Sequence, residues 1–302
     1  MKIFIIGAAG YIGKNLVEHL VSEGHDVIVG LRVAKTFTEF PPNVKAVEID
    51  LSSVRTYSES LDTCDAVVYL AGPGIAIKDV DEMSLIFDYL NPFITFLKLN
   101  AKLNNVPVIF SSSGGTVYGK SSLKPFNEND KLDPISPYGL LKMLMEKYLF
   151  YVNNVYKTKV LSLRISNPYG GSGHQKNGQG VIDVFIKRAM HNKTLEVWGE
   201  GASVRDFLHM SDLLAAFSAA LHYEGPYRCL NIGSGTGTSI RDLLFELDQL
   251  FGYPLKKEYM SRRPLDLDYN VLDITLARDE LGWSPKIHLR EGLIRILENY
   301  AR

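Results

Sequence analysis

Cysteine is scarce: Cys64 and Cys229 are the only two in 302 residues, too few and too far apart for a disulfide framework or a zinc site. That usage fits a reducing, cytoplasmic setting. The seven histidines include no HExxH and no paired ligand spacing, so no metal is expected. No serine sits in a GxSxG elbow. Long hydrophobic runs are missing too. No window approaches the ~18 apolar residues of a membrane span, and the N-terminal apolar run is too short for a signal-peptide core. Neither sign of charge dominates: 33 Lys plus Arg against 34 Asp plus Glu leaves a net charge of -1, which excludes a global basic field for nucleic acid. There is no low-complexity tract and no repeat of fixed period.

What is present is an ordinary globular balance, 46% hydrophobic and 22% charged. A chain of this length buries roughly 75% of its unfolded surface and needs no metal or disulfide staple. Short apolar runs alternate with amphipathic stretches through the first half. Strands are expected at 2–6, 26–30, 44–49, 66–70, 106–111 and 160–163, and helices at 11–23, 82–103 and 138–155. Apolar strands alternating with helices predict a doubly wound parallel sheet, an α/β Rossmann architecture, covered on both faces. The rhythm loosens after Arg164, and 167–180 reads as a glycine-rich loop. The expected division is a dinucleotide domain, 1–166 plus 203–233, and a smaller C-terminal substrate lobe, 167–202 plus 234–302.

The first strand runs into Gly7-Ala8-Ala9-Gly10-Tyr11-Ile12-Gly13 and then a helix. Gly7 permits the tight turn, Gly10 lets the backbone approach a pyrophosphate, and Gly13 lets helix and strand pack closely. The helix N-terminus at Tyr11 and Ile12 faces the anion. An acid normally binds the ribose roughly 20 residues on. Leu31 holds that place and Arg32 follows, either accepting a 2′-phosphate, which points to NADP over NAD, or ending the strand in solvent. Asp50 and Leu51, after the third strand, are placed for the adenine. Leu70, Ala71 and Gly72, after the fourth, form a small-residue loop near the same cofactor.

Tyr138 and Lys142 form YxxxK on one face at a helix start. A nearby ammonium stabilises a phenolate, which makes Tyr138 a usable acid/base. Ser113 and Thr116, closing the fifth strand, are candidates for a hydroxyl partner at the end of the sheet where such folds bind ligands. Residues 114–121 also match GxxxxGK[ST], a P-loop and hence a phosphate-transfer enzyme. A P-loop must open a helix, however, and Ser122-Leu123-Lys124-Pro125 is loop chemistry.

The glycine turn, Ser112-Ser113-Gly114-Gly115-Thr116-Val117-Tyr118-Gly119, Ser136-Pro137-Tyr138-Gly139 with Lys142, and Leu163-Arg164-Ile165-Ser166-Asn167-Pro168-Tyr169-Gly170 then combine with Trp198-Gly199-Glu200-Gly201, Val204-Arg205-Asp206-Phe207, Leu230-Asn231-Ile232-Gly233 and Leu281-Gly282-Trp283. Together they resemble an extended short-chain dehydrogenase/reductase of the NAD-dependent epimerase/dehydratase family, on its UDP-glucose 4-epimerase-like branch. The resemblance implies that Tyr138 is the acid/base, that Lys142 holds the nicotinamide ribose, and that Ser113 or Thr116 supplies the hydroxyl. It further implies that Asn167, Arg205, Arg263 and Asp266 bind a nucleoside diphosphate sugar, and that the protein is a homodimer through its two long helices. The activity implied is 4-epimerisation through a transient 4-keto sugar, with a 4-keto-sugar reductase as the alternative.

Overall fold

The computed structural model describes residues 1–32, 40–73, 82–120, 123–172, 180–262 and 266–301. Two compact units divide the chain: residues 1–113, 137–164 and 217–230 in the first, and 114–136, 165–216 and 231–302 in the second.

The first unit is built on parallel strands. β1 (Lys2–Ile6), β2 (Asp26–Leu31), β3 (Lys45–Glu48), β4 (Ala66–Tyr69), β5 (Val108–Ser113) and β6 (Val160–Ile165) lie in a seven-stranded sheet. The sheet order is Cys229–Ile232, β6, β5, β4, β1, β2, β3. β1 pairs in parallel with β2 on one side and β4 on the other. Ile3, Phe4, Ile5 and Ile6 are all fully buried, as an all-parallel sheet covered on both faces requires. The chain proceeds outward from β1 to β3, then returns to β4 on the opposite side. That reversal opens a crevice at the C-terminal ends of β1 and β4, where doubly wound folds bind ligands.

Three helices cover the sheet around this crevice. The Tyr11–Ser22 helix buries Leu16, Val17 and Leu20 at the spacing of one helix face. The stretch expected as one helix at 82–103 is helical, but it contains a π turn, Ile86–Leu90, between Glu82–Leu85 and Asn91–Lys102. Pro92 accounts for the wider turn: it has no N–H to donate to the preceding turn, and its ring crowds the carbonyl there. Phe93 and Phe96 then pack on Tyr69 with ring centroids 4.7 and 5.2 Å away, and Phe93 lies 5.1 Å from Phe110 of β5. The Pro137–Tyr156 helix opens on proline, whose missing N–H costs nothing at a first turn.

In the second unit, Val204–His209 is the hub of a separate sheet. It pairs with Gly237–Ser239 antiparallel and with Tyr269–Asn270 and Asn167–Tyr169 in parallel. The sequence-based assignment of 167–180 to a loop is therefore corrected at its start. Asn167–Tyr169 is an edge strand, which tolerates Pro168 because an edge leaves N–H groups unpaired. Asp206 is fully buried within the hub strand. Its carboxylate accepts the backbone N–H of Ser234, Gly235 and Leu272 and the Ser234 hydroxyl, so it ties three remote segments together.

Among the described residues, no helix is long and apolar enough to cross a membrane. None of their His, Cys, Asp and Glu side chains group in threes able to hold a metal.

Candidate active site

Gly7 ends β1 at φ +92°, a conformation that favours glycine. A Cβ there would sit 2.6 Å from the Ala71 backbone nitrogen. At Gly13 a Cβ would meet the Gly7 carbonyl oxygen at 2.5 Å, so the helix packs directly on the turn. Gly10 differs: among the described residues only the Gly7 oxygen, at 3.3 Å, lies within 4 Å of where its Cβ would be. The space beside Gly10 is open, in front of a helix whose first turn, Tyr11 and Ile12 included, carries no acid and whose N-cap is bare backbone. The backbone N–H groups at that helix start form the positive end of the helix dipole, and the cradle fits a pyrophosphate.

The other dinucleotide candidates belong to this same unit. Leu31 is buried, whereas Arg32, just past the end of β2, is exposed with no ion-pair partner among the described residues. Asp50 is exposed and uses one carboxylate oxygen to accept the Ser52 N–H at 2.9 Å. Leu51 packs against the core beside it. The Leu70 N–H donates to the Ile6 carbonyl at 2.8 Å, which brings Leu70, Ala71 and Gly72 alongside the glycine turn.

Tyr138 and Lys142 occupy the first turns of the Pro137–Tyr156 helix. Lys142 is 3% exposed, yet it is an ammonium with defined company. Its Nζ donates to the Ser111 carbonyl at 2.7 Å, lies 4.8 Å from the Phe110 ring centroid, and faces Gly72, where a Cβ would come within 3.3 Å. The Tyr138 ring centroid is 5.8 Å from Nζ. Burial pushes Lys142 down to about 8, opposed by the Glu146 carboxylate. Burial also pushes the Tyr138 hydroxyl up to about 12. The expected lowering of the tyrosine by the nearby ammonium does not dominate here. The ammonium is committed to the Ser111 carbonyl, and desolvation of the phenolate outweighs it.

Ser113, the last residue of β5, is 7% exposed and its hydroxyl has no partner among the described residues. Thr116 belongs to the second unit. Its Oγ1 is fully covered and lacks a hydrogen bond, and a buried hydroxyl without a partner is an unusual expense unless a ligand satisfies it. Also in the second unit, Asn167 donates through Nδ2 to the Asp206 carbonyl at 2.9 Å. Arg205 donates through Nη1 to the carbonyls of Val204 and Leu267 at 3.0 and 2.8 Å. Burial works against its charge, and Asp266 and Asp268 support it. Asp266 is half-buried, and its carbonyl accepts from Arg262 at 3.0 Å. Arg263 lies outside the described residues.

The P-loop match does not open a helix: residues 123–136 are turns and loop. Gly119 sits at φ +79° within a turn, so 114–119 is shaped as a strand-to-loop exit. Three contributors escaped the motif search: the Ser111 carbonyl, Gly72 as a neighbour of Nζ, and Glu146. Only Glu146 left a sequence signal, since 138, 142 and 146 repeat at one helix face.

Residues 3–233 match the model of the NAD dependent epimerase/dehydratase family. The chain is 30% identical to a UDP-glucose 4-epimerase of Mycolicibacterium smegmatis, across 99% of this chain and 98% of that protein. It is 32% identical to a dTDP-4-dehydro-6-deoxyglucose reductase of Escherichia coli, across 98% and 96%. The crystal structure of UDP-glucose 4-epimerase with UDP-glucose from Thermotoga maritima superposes with a TM-score of 0.92 at 30% identity, covering 100% of this chain and 99% of that one.

Proposed function

This chain belongs to the NAD dependent epimerase/dehydratase family as an extended short-chain dehydrogenase/reductase, and we propose that it is a 4-epimerase of UDP-hexoses. The observation that carries the proposal is the Lys142 ammonium, fixed between the Ser111 carbonyl, Gly72 and Tyr138 in the unit that holds the glycine cradle.

Bound NAD supplies the reversible redox chemistry at C4 of the sugar and, when oxidised, a positive charge. The chain's own groups do the rest. Gly7, Gly10 and Gly13, with the amides of Tyr11 and Ile12, hold the pyrophosphate. Asp50 and Leu51 would hold the adenine, and Leu70 to Gly72 would lie along the same cofactor. Lys142 would hold the nicotinamide ribose from its place beside Ser111 and Gly72. Tyr138 takes the proton of the C4 hydroxyl as the sugar is oxidised and returns it on reduction, once the 4-keto sugar has turned its other face. Ser113 donates to the same oxygen, and Thr116 is the second hydroxyl available for that bond. Asn167, Arg205, Arg263 and Asp266 are assigned to the nucleoside diphosphate, where guanidinium matches phosphate geometry. The direct test supplies purified protein with one C4 epimer of a UDP-hexose. Appearance of the other epimer without net cofactor consumption is expected; stoichiometric use of NADH or NADPH on a 4-keto sugar would overturn it.

One observation favours the reductase as a second reading: Arg32 stands exposed where an acid would select NAD. If Arg32 meets a 2′-phosphate, Arg32→Ala should weaken NADP binding at least about tenfold and leave NAD binding unchanged, as titrated by fluorescence. Equal effects on both dinucleotides would make Arg32 a solvated strand end.

The assembly we infer is a homodimer in the cytoplasm, where Cys64 and Cys229 stay free. Met83 and Phe87 of the 82–102 stretch are 53% and 58% exposed, and Leu140 and Tyr151 of the Pro137–Tyr156 helix are 40% and 49% exposed. Apolar side chains so concentrated on two helices of one unit call for a partner surface. Light scattering at micromolar concentration should give twice the 33.8 kDa chain mass; the single-chain mass would sink the dimer.

A further inference from the structure

Behind the YxxxK pair, on the same helix, lies a buried charge cluster that the mechanism above does not use. Glu146 is fully buried, and Arg164 and Ser162, alternate residues of β6, reach it from the same face of the sheet. Arg164 Nε donates to both carboxylate oxygens at 3.1 and 3.2 Å, its Nη2 donates to Oε2 at 2.8 Å, and the Ser162 hydroxyl donates to Oε1 at 2.9 Å. Such a pair is poor evidence of stabilisation, because desolvation consumes most of the attraction. It does hold the carboxylate in one place, one helical turn from Lys142.

Lys142 sits where an ammonium is hard to keep. From β5 it meets the Phe110 ring and the Ser111 carbonyl, from the loop after β4 it meets Gly72, and on its own helix Tyr138 and Glu146 flank it. Of the charged groups among the described residues, Glu146 is the one that supports its charge. We propose that Glu146 is a positioning residue whose carboxylate, pinned by Arg164 and Ser162, keeps Lys142 protonated and directed at the dinucleotide and Tyr138. The inference rests on the assignment of Lys142 to the cofactor. Arg164 and Ser162 then have a defined task, since their hydrogen bonds fix where the carboxylate lies relative to Lys142.

The test compares Glu146→Gln, Glu146→Asp and the double variant Glu146→Gln/Arg164→Met, which leaves no unpaired guanidinium. Lysine 13Cε resonances are titrated in the dinucleotide-free protein, with Lys142 assigned by its loss in Lys142→Met. NAD affinity is followed against pH by fluorescence. The Lys142 titration should fall by about one pH unit in Glu146→Gln and in the double variant, the least expected for an opposite charge at this range. Glu146→Asp should restore it. NAD affinity at pH 8 should drop several-fold in the two neutral variants and converge with the parent below pH 6. A folded double variant in which Lys142 titrates as in the parent overturns the proposal, and so does a double variant that cannot fold, because the cluster is then structural. The lysine titration needs no dinucleotide, so it is decided separately from whether the protein binds NAD or epimerises sugars.

Discussion

Tyr138→Phe should lower turnover by ~10²–10⁴-fold, the range attributed to a positioned acid/base, while the fold and NAD affinity stay at parental values. The substitution removes one oxygen and keeps the ring that packs near Lys142. Burial pushes the hydroxyl up to about 12, because its surroundings penalise a phenolate. Near neutral pH Tyr138 is therefore protonated until charges arrive with the ligands, and the proton it accepts must be drawn by their combined field. The pH profile carries the signature: the acidic limb of kcat should disappear in Tyr138→Phe along with most of the rate. Ser113→Ala and Thr116→Val should each cost less than this, since each removes one donor and no proton carrier, and the larger loss identifies the hydroxyl used. Near-parental turnover in Tyr138→Phe would make Tyr138 a helix-start aromatic and remove the mechanism with it.

Lys142→Met should abolish most turnover and loosen NAD, yet raise the stability of the dinucleotide-free protein near pH 7. The sign follows from the direction of the shift. The folded protein holds Lys142 near 8, below its ordinary 10.5, so its contribution to stability is complete above 10.5 and is lost as pH falls toward 8. At pH 7 the folded chain carries a buried charge whose net cost, with Glu146 already opposing it, is roughly 3 kcal/mol. Methionine removes the charge and keeps the length. Melting curves at pH 7 and pH 9.5 should show the variant ahead of the parent at the lower pH, with the lead clearly smaller at the higher. Added NAD should stabilise the parent and scarcely affect the variant. A variant less stable at pH 7 would mean that the Ser111 bond outweighs desolvation.

Much of this site is visible before folding because its chemistry is local. The turn from Gly7 to Gly13 and the four-residue spacing of Tyr138 and Lys142 each lie within a single strand–helix junction or helix face, so sequence distance is spatial distance. The support around Lys142 is not local. The Ser111 carbonyl is a backbone atom common to every residue, and no side-chain pattern can announce it. Arg164 reads as one more strand residue until the sheet packs against the helix and brings it to Glu146. Asn167–Tyr169 was hidden by composition, since Pro168 and the glycines after it are the vocabulary of loops, and its pairing with 207–209 is a tertiary decision. The expected helix at 82–103 was found at nearly its full length, but the π turn before Pro92 reflects a clash that periodicity does not register.

The two compact units are interleaved along the chain, which passes from one to the other after residues 113, 136, 164, 216 and 230. Neither half can therefore be cut out as a self-sufficient fragment. While the protein is being made, β6 waits as an open sheet edge until Cys229–Ile232 has left the ribosome, because that late strand is its outer neighbour. An open, apolar edge is a template for pairing with other chains. A nascent chain stopped near residue 166 would hold the Gly7–Gly13 turn, Tyr138 and Lys142 in full, and would still be an aggregation-prone intermediate. The proposed catalytic pair is translated early, but it becomes safe to fold only when three-quarters of the protein exists.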